Sequence, residues 1–229
     1  MLLIELPITE YSRAMEIQDR LVRWKLDDGG PDVLLMLEHP PVITLGKRAS
    51  SQDLRISPQG LAARGLAVQS TDRGGEATYH GPGQIVCYPI MDLRKRKMRI
   101  RDFVQRLEET VISTLACFGV RGFRQEKMVG VWTGPSEKIA SIGVRIRKGV
   151  TSHGFSLNVN MTLDPAELIV VCGSPAARMV SLSQLVDRPT EMGQVKETIS
   201  QSFEAIFGVT LTPTSLPSFS RVPSGVNAS

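Results

Sequence analysis

Three cysteines and three histidines are the residues of this 229-residue chain best equipped for covalent chemistry. A thiolate attacks carbonyl carbon readily, so Cys87, Cys117 and Cys172 are each candidate nucleophiles. A neutral thiol near pKa 8.5 needs help at pH 7, either from a cation that favours the thiolate or from a base. Lys138, ahead of Ile139-Ala140-Ser141-Ile142, is placed for partial burial. It is a cation unless burial lowers its pKa enough to make it a base. His39, His80 and His153 stand far apart in sequence with no paired carboxylates, so no catalytic metal is expected. An odd number of cysteines without CxxC spacing argues for reduced thiols rather than disulfides or a zinc site.

His80 lies in the most unusual stretch, Arg73-Gly-Gly-Glu-Ala-Thr-Tyr-His-Gly-Pro-Gly-Gln84. Its four glycines and one proline let backbone approach a ligand and aim N–H groups at it. No Gly-Lys-Ser/Thr follows, and the spacing is not GxGxxG, so neither a P-loop nor a dinucleotide fold is indicated. Composition does not identify the ligand.

The elements that must position these residues can be read from periodicity. Residues 10–26 form an amphipathic helix, stopped by Gly29-Gly30-Pro31. Residues 32–38 and 42–45 are buried strands around the Pro40-Pro41 corner, with further strands at 66–70 and 84–90. Asp102, with Gln105 three residues on, predicts the cap of a helix whose stripe is Val104, Leu107, Val111, Leu115 and Phe118, closed by Gly119. Residues 138–147 and 153–159 read as a β pair about Lys148-Gly149, and residues 192–207 as a last helix. Asp164-Pro165-Ala166-Glu167 reads as a capped helix start, from which Cys172 emerges into an exposed turn containing Gly173. Without a regular βαβ beat, the expectation is an α/β (α+β) mixed sheet packed with helices. Residues 1–211 are expected to form one catalytic domain, with a Ser/Pro-rich disordered tail at 212–229.

Composition bounds the partners. The chain is 41% hydrophobic with a formal charge of +4, compatible with an acidic protein partner and weak as a sign of nucleic acid. No apolar run approaches the roughly 18 residues of a membrane span, and the N-terminus resembles neither a signal nor a transit peptide, so a soluble cytoplasmic protein is expected. Residues 94–101, RKRKMRIR, are six basic in eight, a candidate docking face.

Four blocks carry a family resemblance: EHPPVITLGKR at 38–48, RGGEATYHGPGQIVCYP at 73–89, KIASIGVR at 138–145 and GVTSHGFSLNV at 149–159. In sequence and order they resemble the lipoyl(octanoyl) transferases, over roughly residues 38–173. The resemblance implies a fold akin to the biotin and lipoate protein ligases. It also implies transfer of an octanoyl group from octanoyl-acyl carrier protein to a lysine of a lipoyl domain. Acceptors would be the lipoyl domains of 2-oxoacid dehydrogenase complexes and the glycine cleavage H protein, served by a monomer without cofactor. Thioester to amide runs downhill, so a cysteine thioester intermediate suffices without nucleotide.

The family places its nucleophile in a Cys-Gly step after the HGFxLN block, here Cys172-Gly173, with Lys138 as the acid/base. By the same resemblance Arg73, Gly74, Gly75, Tyr79, His80, Gly81, Tyr88, Ser141, Ile142, Gly143, His153 and Gly154 bind substrate, and His39 positions the strand corner. If Tyr88 lines the pocket, alternation turns Cys87 away from it. Cys117 falls about 120° off its helix's apolar stripe and reads as a flanking or surface thiol. Amide groups of the Gly-rich loop are expected to serve a tetrahedral oxyanion. One departure is Val171, where the family usually has proline; losing that constraint on φ leaves the thiol less tightly oriented, with reduced activity or altered acyl preference as the consequence. Two rivals remain on these grounds: an ATP-dependent lipoate or biotin ligase, which has no need of Cys172, and a non-catalytic binder of the same partners.

Overall fold

The structure, a computed structural model, describes residues 1–217 apart from the side chain of Cys172. In chain order the strands and helices are β1 (Leu2–Ile8), α1 (Tyr11–Asp27), β2 (Val33–Glu38), β3 (Val42–Leu45), α2 (Pro58–Ala62), β4 (Ala67–Ser70), β5 (Ala77–His80), β6 (Gln84–Ile90) and α3 (Ile100–Cys117). They continue with β7 (Phe123–Gln125), β8 (Met128–Gly134), β9 (Glu137–Arg147), β10 (Val150–Asn158), β11 (Arg178–Met179), α4 (Leu182–Leu185), α5 (Met192–Phe207) and β12 (Thr212–Pro213). The large mixed sheet runs β12-β1-β2-β6-β10-β9-β8-β7, with β11 attached to β9, and a second sheet runs β4-β3-β5.

β6 shows why the large sheet holds two cores. All seven of its residues are buried. Alternation sends Ile85 and Cys87 to the face covered by α3 and α5, and Val86 and Tyr88 to the face covered by α1. On the first face Phe103, Leu107, Val111 and Leu115 of α3 meet Val195, Ile199, Phe203 and Phe207 of α5. Each such side chain stabilises by about 1.5–3 kcal/mol relative to exposure, so this helix pair anchors the sheet's far side. On the second face α1 lays down Ala14, Ile17, Leu21 and Val22 at helical spacing. A third cluster joins the small sheet to the turns before β11 through Ile43, Tyr79, Trp132, Ile169 and Val171.

Several local expectations need correction. α3 begins at Ile100 with no side-chain cap, because both Asp102 carboxylate oxygens accept from Arg99, Oδ2 from Nε at 2.8 Å and Oδ1 from Nη2 at 2.9 Å. Asp102 still favours the helix from its first turn, where negative charge opposes the dipole. The core position goes to Phe103, and Val104 lies half-buried beside it. Asp164 caps nothing: Asp164–Leu168 is a 3-10 turn whose cap position is Leu163. The expected tail starts with β12, whose Thr212 and Pro213 pair in parallel with Leu2 and Leu3. Residues 218–229 of that tail lie outside the described residues.

Candidate active site

A cavity of about 230 Å³ lies between the two sheets, roofed by the Gly-rich segment and approached from α1 by Tyr11. Its walls come from β5, β6, β9 and β10. An apolar cavity of about 150 Å³ takes a six-carbon ring, so by that scale this one admits a chain of about eight or nine carbons.

The segment between β4 and β5 is bound down from both sides. Arg73 turns inward: Nη2 donates to Thr44 O at 2.7 Å, Thr44 Oγ1 at 2.8 Å and Glu76 O at 2.9 Å. The guanidinium thus ties its own loop to β3. Gly74 N donates to Val144 O at 3.0 Å, which lays the loop across β9. The approach is close: a Cβ on Gly143 would sit 2.7 Å from Gly74 O. The Gly74 amide is therefore committed to the strand and is not an oxyanion donor, against the expectation.

Behind the cavity the histidines have partners that fix their tautomers. His39 Nδ1 donates to Thr9 O at 2.7 Å, so Nε2 accepts from the Tyr88 hydroxyl at 2.7 Å. Gln84 Nε2 donates to Asn158 Oδ1 at 2.9 Å, which leaves Gln84 Oε1 to accept from His80 Nδ1 at 2.6 Å. His153 Nε2 donates to Asp72 Oδ1 at 2.8 Å. Burial pushes the His39 pKa down to about 4 and that of His80 well below its ordinary value, the latter helped by His39 beside it. Burial also lowers His153, with Asp72 opposing the shift. All three rings are neutral at pH 7. Burial likewise raises Tyr88 and Tyr11, so both keep their protons.

At the other end Lys138 is only 4% exposed, with Nζ 5.6 Å from the centre of the Trp132 ring. The bulged register of β8 against β9 sets Trp132 opposite Lys138. Gly130 gives the lysine its room, because a Cβ there would lie 2.6 Å from Lys138 Cε. β11 continues beside it: Met179 pairs with Lys138, and Val180 N donates to Lys138 O at 3.0 Å. Residue 172 sits in the 3-10 turn Val171–Gly173, with Gly173 at φ +65° and Val171 buried in the third cluster together with Trp132.

Of the residues singled out from sequence, the cavity wall brings together Arg73, Gly74, Gly75, His80 and Tyr88 with Lys138, and Ser141, Ile142 and Gly143 of β9 with His153 and Gly154 of β10. It does not include Tyr79 or Gly81. β5 alternates, so Thr78 and His80 face the cavity while Tyr79 joins the third cluster. Gly81 makes space for that tyrosine, since a Cβ there would be 2.9 Å from Tyr79 Cζ. Cys87 lies fully buried on the opposite face of β6, and burial raises its pKa. Cys117 is exposed on α3. Sequence reasoning missed Tyr11, Thr78, Val86, Met128 and Phe155 in the wall. Alternation from His80 and Tyr88 could have found Thr78 and Val86; nothing local marked Tyr11.

The family described as lipoyl protein ligase A/B catalytic domain matches residues 10–204. A protein of Desulfotalea psychrophila named octanoyltransferase is 44% identical over 208 residues, covering 90% of this chain and 93% of that one. The chain belongs to the lipoyl(octanoyl) transferase family. It is an acyltransferase by that membership. The fold agrees: a putative lipoate protein ligase of T. acidophilum with bound lipoic acid superposes with a TM-score of 0.74 at 15% identity, covering 95% of this chain and 90% of that one. Biotin protein ligase of Aquifex aeolicus, in complex with biotin and ATP, gives 0.56 at 14%, covering 90% and 70%.

Proposed function

We propose that this protein, one catalytic unit over residues 1–211, moves an octanoyl group from acyl carrier protein to a lysine of a lipoyl domain, through a thioester on Cys172. The buried Lys138 on the wall of a chain-sized cavity, on the strand stitched to the segment that follows residue 172, is the observation that carries this reading.

In the first half-step the Cys172 thiolate attacks the carrier thioester, and the carrier leaves as a thiol. In the second, the lysine amine of the lipoyl domain attacks the enzyme thioester; the amide forms, Cys172 leaves as its thiolate, and the proton lost by the amine passes to the Lys138 amine, which gave up its own in the first half-step. Lys138, as an ammonium ion, favours the thiolate in the resting and leaving states and delivers the proton to the departing thiol. Val86, on the same face of β6 as Tyr88, gives the acyl chain apolar surface. Carrier docking falls to Lys95, Lys97 and Arg101, which are exposed, whereas Arg94, Arg96 and Arg99 are engaged with Asp92, Asp32 and Asp102 of this chain. Among the described residues no helix is long and apolar enough to cross a membrane, and we place the reaction in the cytoplasm.

The test is incubation with octanoyl-acyl carrier protein, without nucleotide, followed by intact mass spectrometry and peptide mapping. An octanoyl adduct on Cys172 that passes to an added lipoyl domain is expected. Modification of the lipoyl domain only when ATP and free acid are supplied, and undiminished in Cys172→Ser, would replace this reading with that of a ligase.

A further inference from the structure

Around the first turn of α3 the protein exposes apolar and basic side chains together, and the chemistry at Lys138 and Cys172 touches none of them. α3 lies across β8 and β9. The pairing of β8 with β9 ends at Ala140, yet β9 runs on to Arg147. Among the described residues no strand pairs with that outer edge from Ser141 onward; the Gly-rich loop meets it through Gly74 N and Val144 O. Ile142 and Val144 stay half-buried on the face of the sheet that α3 covers. Val104 of α3 and Val129 of β8 line the cavity with them, and Val129 is 45% exposed. Ile100 stands four residues before Val104, on the same side of α3, and is 55% exposed.

The rim of this apolar surface is basic. Lys95, Lys97, Arg101 and Lys127 are exposed and, among the described residues, are in no ion pair, whereas Arg94, Arg96 and Arg99 are paired within the chain. The carboxylates close by are mostly engaged: Asp102 with Arg99, Glu108 and Glu109 with Arg124, which leaves Glu126. An apolar patch ringed by one sign of charge fits a protein partner that carries the opposite sign.

We propose that this face is where the acidic acyl carrier protein seats for the first half-step, with Ile100, Val104 and Val129 as its apolar anchors and Lys97, Arg101 and Lys127 as its charged rim. A second copy of this chain would bring the same bases face to face across a two-fold axis, so like charges oppose that occupant. The lipoyl domain has only to bring an amine to residue 172, whose turn packs with the third cluster on the side of the small sheet. The donor must also pass its acyl chain into the cavity, and Val104 and Val129 join this face to the cavity wall. Charge steers the carrier in, and the apolar anchors hold it. The inference rests on the acyl-transfer function above and goes further by naming the surface that reads the donor.

The experiment measures the two half-steps separately. Formation of the octanoyl-enzyme is timed with octanoyl-acyl carrier protein and with octanoyl-N-acetylcysteamine, a thioester that carries no protein. The isolated octanoyl-enzyme is then mixed with lipoyl domain. The variants are Ile100→Asp, where an acidic residue suits the start of α3, and the double charge reversal Lys97→Glu with Arg101→Glu. In each, the carrier-to-small-thioester ratio of acylation rate constants should fall at least about tenfold, while deacylation by the lipoyl domain changes by less than about twofold. Added salt should slow wild-type acylation by the carrier and leave the double variant nearly unaffected. Because both donors meet the same preparation, a partly misfolded variant lowers both rates and leaves their ratio alone. A ratio within about twofold of wild type in both folded variants overturns the inference. So does an equal or greater loss in deacylation, which would give the face to the lipoyl domain. Wild-type acylation by the carrier with either adverse result leaves the proposed function standing. Wild-type failure with both donors overturns both.

Discussion

The cavity has two unlike ends, and the contrast shows how burial can serve opposite purposes. At the histidine end, His39 and His80 each have one ring nitrogen fixed by a protein acceptor, Thr9 O or Gln84 Oε1, and the rings are neutral. Their neighbours Tyr11 and Tyr88 keep their protons for the same reason. The lysine end buries a single amine on a bulged strand, beside Trp132 and next to the segment leading from residue 172. One end is lined by neutral rings with fixed hydrogen-bond partners; the other holds the groups we assign to chemistry. Losing a group should therefore affect rate at one end and stability or selectivity at the other.

The largest effect should come from the lysine end. Lys138→Met keeps the stem packed against Trp132 and removes the amine. It should lower kcat/KM by about 10²- to 10⁴-fold, the range of a positioned acid/base, in a variant whose melting curve shows it still folded. Steady-state kinetics beside a melting curve would check this, and a loss smaller than tenfold would remove Lys138 from its assigned role.

The histidine end should answer in stability. His39 has a folded pKa of about 4 against 6.5 in the unfolded chain. Its contribution is complete above pH 6.5. Between 6.5 and 4 the unfolded chain binds a proton that the folded ring refuses, so stability falls with falling pH, and below 4 the loss stops growing. The full difference is about 3 kcal/mol, with His80 and His153 shifted in the same direction. Urea unfolding at pH 8, 6.5, 5 and 4 should show this decline flattened by about that amount in His39→Gln. Parallel curves for the two proteins would mean that His39 is not held neutral.

Between the ends, the roof should show a smaller, positional effect. Gly143→Ala would put a methyl group against Gly74 O and lift the segment that Arg73 binds to β3. KM for the acyl donor should rise about tenfold with kcat changed less, since displacements near 1 Å cost up to about 100-fold. A KM unchanged within error would show that this roof does not hold substrate.

How much of this was legible in sequence depended on whether a residue's partner was local. β3, β6, the β9–β10 pair and α5 follow from short apolar runs, from a Lys-Gly turn and from Val195, Ile199 and Phe203 at helical spacing; the spans of β3, β6 and α5 match, whereas β10 begins at Val150, three residues before the expected start, and ends at Asn158. The four sequence blocks located most of the cavity wall because each covers short contiguous strands and the turns that join them. β1 escaped because Glu5 and Pro7 interrupt its short apolar run, and it becomes a strand only by pairing with β2. Two-residue β11 and β12 are defined wholly by what they touch. Gln18, which steadies His153 from 135 positions away, and Tyr11, whose ring stacks 6.0 Å from His80, carry no local signal at all. Asp102 was misread because its strongest partner, Arg99, precedes the helix and competes for the carboxylate.

Tyr79 offers the finest test, because the family resemblance assigns it to substrate and the geometry turns it away. Its backbone carbonyl accepts from Gln84 Nε2 at 3.1 Å, which any residue could provide, and its ring packs in the third cluster rather than in the cavity. Tyr79→Phe keeps both features, so kcat/KM for octanoyl transfer should stay within about twofold and stability within about 0.5 kcal/mol. Tyr88→Phe is the control from the cavity wall: it strips the donor from His39 Nε2, leaving a buried acceptor unpaired at a cost of about 1–3 kcal/mol. If Tyr79→Phe instead lowers kcat/KM more than Tyr88→Phe does, the phenol reaches substrate despite its place in the strand. The boundary of the site would then have to extend to the far side of β5.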